Sequence, residues 1–414
     1  MIALKINCIK TKKFNNCCIN FVFKQKLEKD IITSNSMLLD NLTYSTKNYP
    51  TRKDLLKRYE YLYGTYVRCN LTKVGEYMYS SLSIDFLNPI YCDKGYLKDI
   101  LDILLEVVYN PNINNNAFDE TTFKINKNNY HDYLISTKEK ASLYAYKRSL
   151  EILNTKNISY NIEGYLEDFD NITNKSLINT YNNLINNSEL EIYIVGHLDM
   201  NYIKDYLTKH IKDNNITKKL NIYNKLDRVD KYKDIEEYGD YTQDNLVIHY
   251  NMDIKTKKER EIILPVFNQL FGGGGLNTLL FTTVREKHSL CYSIRSFYNP
   301  FDNIFTITAG IDGKNKKLCL ELIDKLFNDI KNGNISNKDI RDSIRFLKTK
   351  YKSFDSSIYN IYSYQFNHNN YDTYLPIDRI KLINTVTKED IINIVNKINI
   401  NTVYMLRGNK HEEN

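Results

Sequence analysis

Arg285 and Tyr292 stand seven residues apart in the run Val284-Arg285-Glu286-Lys287-His288-Ser289-Leu290-Cys291-Tyr292-Ser293-Ile294, shortly after four consecutive glycines, Gly272, Gly273, Gly274 and Gly275. A guanidinium and a phenol are donors suited to acyl chemistry. When hydroxide attacks a peptide carbonyl the oxygen turns negative, and a donor aimed at it stabilises the transition state by roughly 3 kcal/mol. The guanidinium can also grip a carboxylate or a substrate backbone in bidentate fashion. Taken alone, the same two residues serve equally in a helix-end salt bridge. The glycines let backbone approach a ligand closely and adopt positive φ, or they simply end a helix in a turn. They are not a phosphate loop, because the Lys-Ser/Thr that completes one is missing. Hydrolysis would also need an activated water, and a zinc site of the His-x-x-Glu-His kind would supply it. No two of the seven histidines (His131, His197, His210, His249, His288, His368 and His411) are four apart. His288 has no Cys or acidic ligand motif beside it and reads as a surface side chain. Glu286 and Lys287 read as ion-pair partners at the surface or between domains.

The elements that must position this segment come in two matching series, each read from apolar periodicity. In the first, an alternating aromatic-rich stretch from Tyr61 through Tyr77-Met78-Tyr79-Ser80-Ser81-Leu82-Ser83-Ile84-Asp85 predicts paired strands. Tyr96, Leu97, Ile100, Leu101, Leu104, Leu105 and Val108 then predict a helix, and a second helix begins after Phe118-Asp119-Glu120. In the other, Ser289 to Tyr298 and Ile304 to Asp312 supply the strands. Leu318, Leu322, Ile323, Leu326 and Ile330 supply the helix, and the next starts after the cap cluster Ser336-Asn337-Lys338-Asp339. Each series closes on an apolar strand ending in glycine, Ile192-Tyr193-Ile194-Val195-Gly196 and Val403-Tyr404-Met405-Leu406-Arg407-Gly408. The glycine run ends a helix containing Ile262, Ile263, Val266 and Leu270, and a further helix is expected through Leu279 to Val284. Duplication of a unit of roughly 200 residues is the simplest account. Hairpins followed by paired helices predict an α+β fold with mainly antiparallel sheets and helices on one face. We divide the chain into a first domain, 1–212, a charged connector, 213–243, with room for a strand of its own, and a second domain, 244–414.

Composition narrows the classes of function. At 414 residues and 42% hydrophobic content the chain can bury more than one core. The net charge of +7 suits an acidic partner, yet the 57 Lys and Arg are interleaved with 50 Asp and Glu, which argues against nucleic acid. Seven cysteines (8, 17, 18, 69, 92, 291 and 319), an odd number without a C-x-x-C pair, predict a reducing compartment. Met1-Ile2-Ala3-Leu4-Lys5-Ile6-Asn7 reads as the start of a strand rather than a signal peptide, and no apolar run is long enough to span a membrane. A cytoplasmic protein is expected.

Embedded after a glycine-rich turn, Arg-Glu-Lys-x-x-Leu-x-Tyr resembles the substrate-gripping segment of the insulinase (pitrilysin) family of zinc peptidases. The resemblance covers essentially the whole chain and is strongest over 271–312. It implies a tandem of α+β domains, with Arg285 and Tyr292 holding the substrate. The glycine run resembles only in position a longer loop that handles substrate in non-catalytic subunits of mitochondrial processing peptidases. The family's metal motif lies shortly before a Gly-Thr-Lys-x-Tyr-Pro-like segment, here Ser45-Thr46-Lys47-Asn48-Tyr49-Pro50. Counting back puts Ser36-Met37-Leu38-Leu39-Asp40 in its place. Ser36, Leu39 and Asp40 thus replace two ligands and the general base, and the third ligand falls near Lys124, whose ammonium would repel a dication. Zinc in such a site brings the pKa of its bound water toward 7. A leucine at the base position cannot take that proton.

The resemblance therefore implies a non-catalytic subunit with no cofactor of its own. Zinc is expected only in a partner chain, an insulinase-family paralogue that closes with this one around a peptide substrate. Tyr49-Pro50-Thr51, Leu62-Tyr63-Gly64-Thr65 and the Arg285–Tyr292 segment resemble in particular the metal-less insulinase-like proteins associated in Firmicutes with 5-aminopentanol modification of elongation factor P. The alternative is a structural or peptide-binding scaffold with no part in turnover. A homodimer would hold no metal site. Neither nucleic acid nor membrane is expected as a partner.

Overall fold

A computed structural model describes residues 4–211 and 219–408. Met1, Ile2 and Ala3 of the expected first strand, residues 213–218 of the connector, and His411 lie outside the described residues. The elements in chain order are β1 (Lys5–Lys10), β2 (Asn16–Lys26), α1 (Lys29–Tyr44), α2 (Arg52–Tyr61), β3 (Tyr66–Val74), β4 (Tyr77–Leu87), α3 (Tyr96–Tyr109), the short ribbon β5 (Ile113–Asn114) and β6 (Ala117–Phe118), α4 (Glu120–Glu139), α5 (Ala141–Leu153), α6 (Asn174–Asn187), β7 (Glu189–Gly196) and α7 (Met200–His210). There follow β8 (Lys233–Gly239), β9 (Asp244–Met252), α8 (Leu264–Phe271), β10 (Cys291–Asn299), β11 (Ile304–Ile311), α9 (Lys316–Lys331), α10 (Asn337–Lys352), α11 (Ile358–Tyr371), α12 (Pro376–Leu382), α13 (Lys388–Val395) and β12 (Ile398–Gly408). They form two compact units. One comprises the chain through Ile135, Asn161–Asn221 and Asp355–Phe366; the other comprises Ser136–Tyr160, Ile222–Phe354 and the chain from Asn367 on.

Local sequence chemistry explains the helices. In α3 the expected stripe is buried, with Tyr96, Ile100, Leu101, Leu104 and Val108 facing the core. Ser336 caps α10, its hydroxyl accepting from the Lys338 N–H at 3.0 Å, and Thr387 forms a reciprocal capping box with Asp390 at the start of α13.

Each unit holds a five-stranded sheet, ordered β1-β7-β2-β4-β3 in the first and β8-β12-β9-β11-β10 in the second. The order is the same when the strands are counted along the chain. Each unit begins with an edge strand, steps to the middle, builds the far edge as a hairpin and returns between its first two strands. Only β1 with β7 and β8 with β12 pair in parallel; the other neighbours are antiparallel. This recurrence is what a duplicated chain produces. β8 is the strand within the connector, and it extends the second sheet.

The main helical layer covers one face of each sheet. In the first unit Ile19, Phe21, Ile192 and Ile194 point into that core, and in the second Leu246, Ile248, Val403 and Met405 do so. The strand residues between them point the other way, and one helix covers each of those faces. Cys18 and Val195 pack against Ile358, and Tyr193 against the rings of Tyr362 and Phe366 at 5.4 and 5.5 Å. Val247, Tyr404 and Leu406 pack against Ala145 of α5. Asp244, almost wholly buried, ties three chain segments of the second sheet together. Its carboxylate accepts from the N–H groups of Gly313 at 2.8 Å and Gly408 at 2.7 Å, and Arg407 Nε lies 3.3 Å away.

His249 on β9 lies fully buried on the α5 side. The Ser149 hydroxyl donates to the Tyr146 carbonyl at 2.7 Å, so its oxygen accepts from His249 Nε2 at 2.8 Å, and the Thr306 hydroxyl donates to Nδ1 at 3.0 Å. The ring is therefore neutral, and burial drives its pKa down from 6.5 to about 3. Its folded pKa lies below its unfolded one, so the stability it contributes is complete above pH 6.5 and drains away as pH falls from 6.5 toward 3, at about 1.4 kcal/mol per pH unit. We expect His249→Gln, which keeps a neutral polar group there, to flatten the fall of Tm between pH 7 and pH 4.5 relative to the unsubstituted chain. Parallel Tm curves would show that His249 is not the group that titrates.

Candidate functional site

The Arg and the Tyr are held by two irregularities placed back to back. Beyond the glycines the expected helix takes π form over Phe281–Lys287. Such turns carry poorer hydrogen bonding than an α-helix and are frequent at functional sites. Val284 anchors the turn in the core, while Arg285 is exposed with its guanidinium over the Phe281 ring at 4.7 Å. The turn ends when the Ser289 and Leu290 N–H groups donate to the carbonyls of Arg285 and Val284 at 3.0 and 3.1 Å, with Ser289 at φ 52.

β10 then starts with a bulge. Cys291 pairs with Ile311 and Ser293 with Gly310, so Tyr292 is the extra residue. An extra residue bends the strand and re-aims its side chain, and Tyr292 stands 73% exposed at the edge of the sheet. The Arg285 charge reaches the neighbouring Cys291, opposing the burial that pushes that thiol up to about 11. Among the described residues neither the Arg285 nor the Tyr292 side chain has a hydrogen-bond or ion-pair partner. Glu286, Lys287 and His288 are exposed.

The four glycines divide the work. Gly272 accepts the Ser296 N–H at 2.8 Å, and a Cβ there would lie 2.5 Å from Leu280 Cδ1 and 3.0 Å from the Ser296 nitrogen. At Gly273 a Cβ would meet Asn268 Nδ2 at 2.5 Å and its carbonyl oxygen at 2.8 Å. Gly274 and Gly275 have open space but φ of +112 and +107. The first two glycines are therefore required by packing against α8 and β10, the last two by backbone conformation. Gln269 Nε2 donates to the Gly274 carbonyl at 2.9 Å. Gly273 and Gly274 border a cavity of about 770 Å³ whose other walls include Tyr146 and Arg295.

In the first unit Ser36, Leu39 and Asp40 share one face of α1 and line a cavity of about 680 Å³. Asn126, Tyr130 and Tyr133 of α4, Cys69 of β3, and Glu163 line it too. Lys124, expected at the third-ligand position, is not there. Two residues before Asn126 is about half a helical turn, so Lys124 points outward; its side chain is 70% exposed and pairs with Glu120 at 3.3 Å. The position facing the cavity is asparagine, not lysine. The Cys69 thiol donates weakly to Asp40 Oδ1 at 3.9 Å, and burial, then the Asp40 charge, push that thiol up to about 12. Desolvation also raises the Asp40 carboxyl.

These residues do not fit zinc. The lining offers two carboxylates, Asp40 and Glu163, a thiol that stays protonated and an alcohol, but no imidazole, with a packed leucine among the α1 positions. Among the described residues no group of three or more His, Cys, Asp or Glu is placed to hold a metal ion, and no helix is long and apolar enough to cross a membrane.

This geometry agrees with the comparisons. Residues 171–347 match the family described as Peptidase M16 inactive domain. The chain is 29% identical over 411 residues to the probable inactive metalloprotease YmfF of Bacillus subtilis, covering 98% of this chain and 96% of that one. Its fold is similar to that of a conserved protein from Enterococcus faecalis, with a TM-score of 0.94, 24% identity and coverage of 99% and 98% of the two chains. It is also similar to a peptidase M16 inactive domain from Pseudomonas fluorescens, with a TM-score of 0.78, 16% identity and coverage of 98% and 96%. The fold, and a donor set that does not fit zinc, agree with this likeness to inactive metallopeptidases. In sequence the chain is thus similar to inactive members of the insulinase (M16) peptidase family.

If Arg285 and Tyr292 are kept for binding rather than for folding, removing them should leave stability alone. We expect Arg285→Ala and Tyr292→Phe to stay within about 0.5 kcal/mol of the unsubstituted chain. Gly273→Ala, which drives a methyl into Asn268, should cost about 1–3 kcal/mol. Thermal melts of the three variants check this, and a large loss from either of the first two would assign that residue a structural role.

Proposed function

We propose that this chain is the non-catalytic half of a two-chain zinc peptidase of its family, working in the cytoplasm. The observation that carries the reading is the pair of irregularities that expose Arg285 and Tyr292, without partners, at one end of an edge strand. Polar side chains held out by a π turn and a bulge stand where an incoming peptide can meet them. In this reading a zinc-bearing paralogue activates the water. Arg285 holds the substrate's backbone carbonyl or carboxylate in bidentate fashion, and the Tyr292 phenol donates to the oxygen that becomes negative. The glycine loop, fixed on α8 and β10, lets the peptide backbone pass close by.

The likeness of the Tyr49-Pro50-Thr51 and Arg285–Tyr292 segments to proteins associated with elongation factor P modification extends the proposal to that pathway. Deleting the gene and measuring the mass of elongation factor P would test that extension; an unchanged modification would remove it.

The main reading is tested with zinc present by assaying peptide cleavage by this chain, by a candidate partner carrying His-x-x-Glu-His, and by their mixture. Activity is expected only in the mixture, with Arg285→Ala lowering kcat/KM about 10²–10³-fold. A mixture indifferent to Arg285 would instead make this chain a scaffold with no part in turnover.

A further inference from the structure

The cavity bounded by α1, α4 and β3 has lost the donors for a metal, yet it has kept a charge and an unmet hydrogen bond. Among the described residues Asp40 has no ion-pair partner. The one polar contact of its carboxylate is the long thiol bond from Cys69, and it remains accessible from the cavity. Arg52, the one guanidinium on the wall, is engaged elsewhere, donating to the Thr43 carbonyl at 2.6 Å and lying over the Tyr44 ring at 5.7 Å. The Tyr130 and Tyr133 rings stack at 6.0 Å, and the faces of such rings attract cations. Glu163 adds a second carboxylate to the lining.

The second observation is independent of this charge. Asn126 lines the same cavity, is only 5% exposed, and its side-chain nitrogen has no hydrogen-bond partner. A buried donor left unmet costs free energy and calls for an acceptor.

We propose that this cavity binds the free amino terminus of a peptide, with Asp40 taking the ammonium group and Asn126 turned onto the first carbonyl oxygen. In a peptide amino terminus a primary ammonium and a carbonyl group are separated by one carbon, so one ligand meets both demands. A lysine side chain brings the ammonium without the acceptor, and a carboxylate or phosphate is repelled by Asp40 and Glu163. The cavity, about 680 Å³, lies within the range of small-ligand pockets. The site lies wholly in the first unit and is tested on this chain alone, so its failure would leave the Arg285 and Tyr292 reading standing, and the reverse.

The probe is the tetrapeptide Ala-Gly-Ser-Gly carrying fluorescein at its carboxyl end, followed by fluorescence polarisation with the full chain. Saturable binding is expected at micromolar to millimolar chain. Acetylating the peptide's amino group should weaken it about tenfold or more, the worth of a hydrogen bond to a charged group, and Asp40→Asn should do the same without lowering Tm. Unlabelled tetrapeptide should displace the probe, while n-butylammonium, which imitates a lysine side chain, should not at equal concentration. Equal binding of the acetylated peptide, indifference to Asp40→Asn, absence of saturable binding, or displacement by butylammonium as effective as by peptide would each overturn the proposal. The acetylation arm needs no variant and so does not depend on any substitution folding.

Discussion

The middle strands of both sheets are buried on both faces, and that constraint governs where irregularity can occur. Along β9 every residue is buried, alternately against the main helical core and against α5. A slip of one residue would exchange the two sets of side chains, sending His249 into a wall of Phe267 and Phe305 and breaking its two hydroxyl contacts. Asp244 reinforces the register by holding the N–H groups of Gly313 and Gly408. Extra residues fall where one flank is open: Asn401 on β12, before its pairing with β8 begins, and Tyr292 on the edge strand β10. The rigidity of the interior is thus what lets a single bulge aim one phenol outward without disturbing the sheet.

The two units share a topology and have diverged in what they offer. In the first, the face of α1 that would carry metal ligands presents Ser36, Leu39 and Asp40 to a cavity that cannot hold zinc. In the second, the corresponding edge strand carries the glycine loop, the π turn and the bulge. Leu39 packs in the core, while Ser36 and Asp40 stay partly open to the cavity, so this face of α1 is compatible with a stable core. Arg285 and Tyr292 are likewise exposed.

Much of this was legible in the amino-acid order. The strands around Tyr77 to Asp85 and Ile304 to Ile311, the α3 and α9 stripes, the Ser336 cap and the two closing strands all follow from periodicity and capping chemistry, because burial on one face writes a repeating pattern. The second face of each sheet left a weaker trace. Val247, His249 and Tyr404 lie in runs that are apolar or aromatic throughout, and nothing local states that α5, a hundred residues earlier, covers them. The π turn and the bulge were invisible for a similar reason: a π turn keeps the composition of an α-helix, and a bulge changes only the pairing with a distant strand. Lys124 shows how small an error suffices. A count along the chain fell two residues short of Asn126, and on a helix that is the difference between the cavity and solvent. The phase set by buried Phe123, Asn126 and Tyr130 would have located the facing positions.

The central claim is that position 292 meets substrate in a zinc site completed by another chain. Replacing Tyr292 with a photo-reactive benzoylphenylalanine, and irradiating with a labelled peptide in the presence and absence of the zinc-bearing partner, tests it most directly. The account predicts a cross-link from this chain to the peptide that appears only when the partner is present and fades when excess unlabelled substrate is added. A cross-link to the peptide without the partner, or none in the assembled pair, would contradict it.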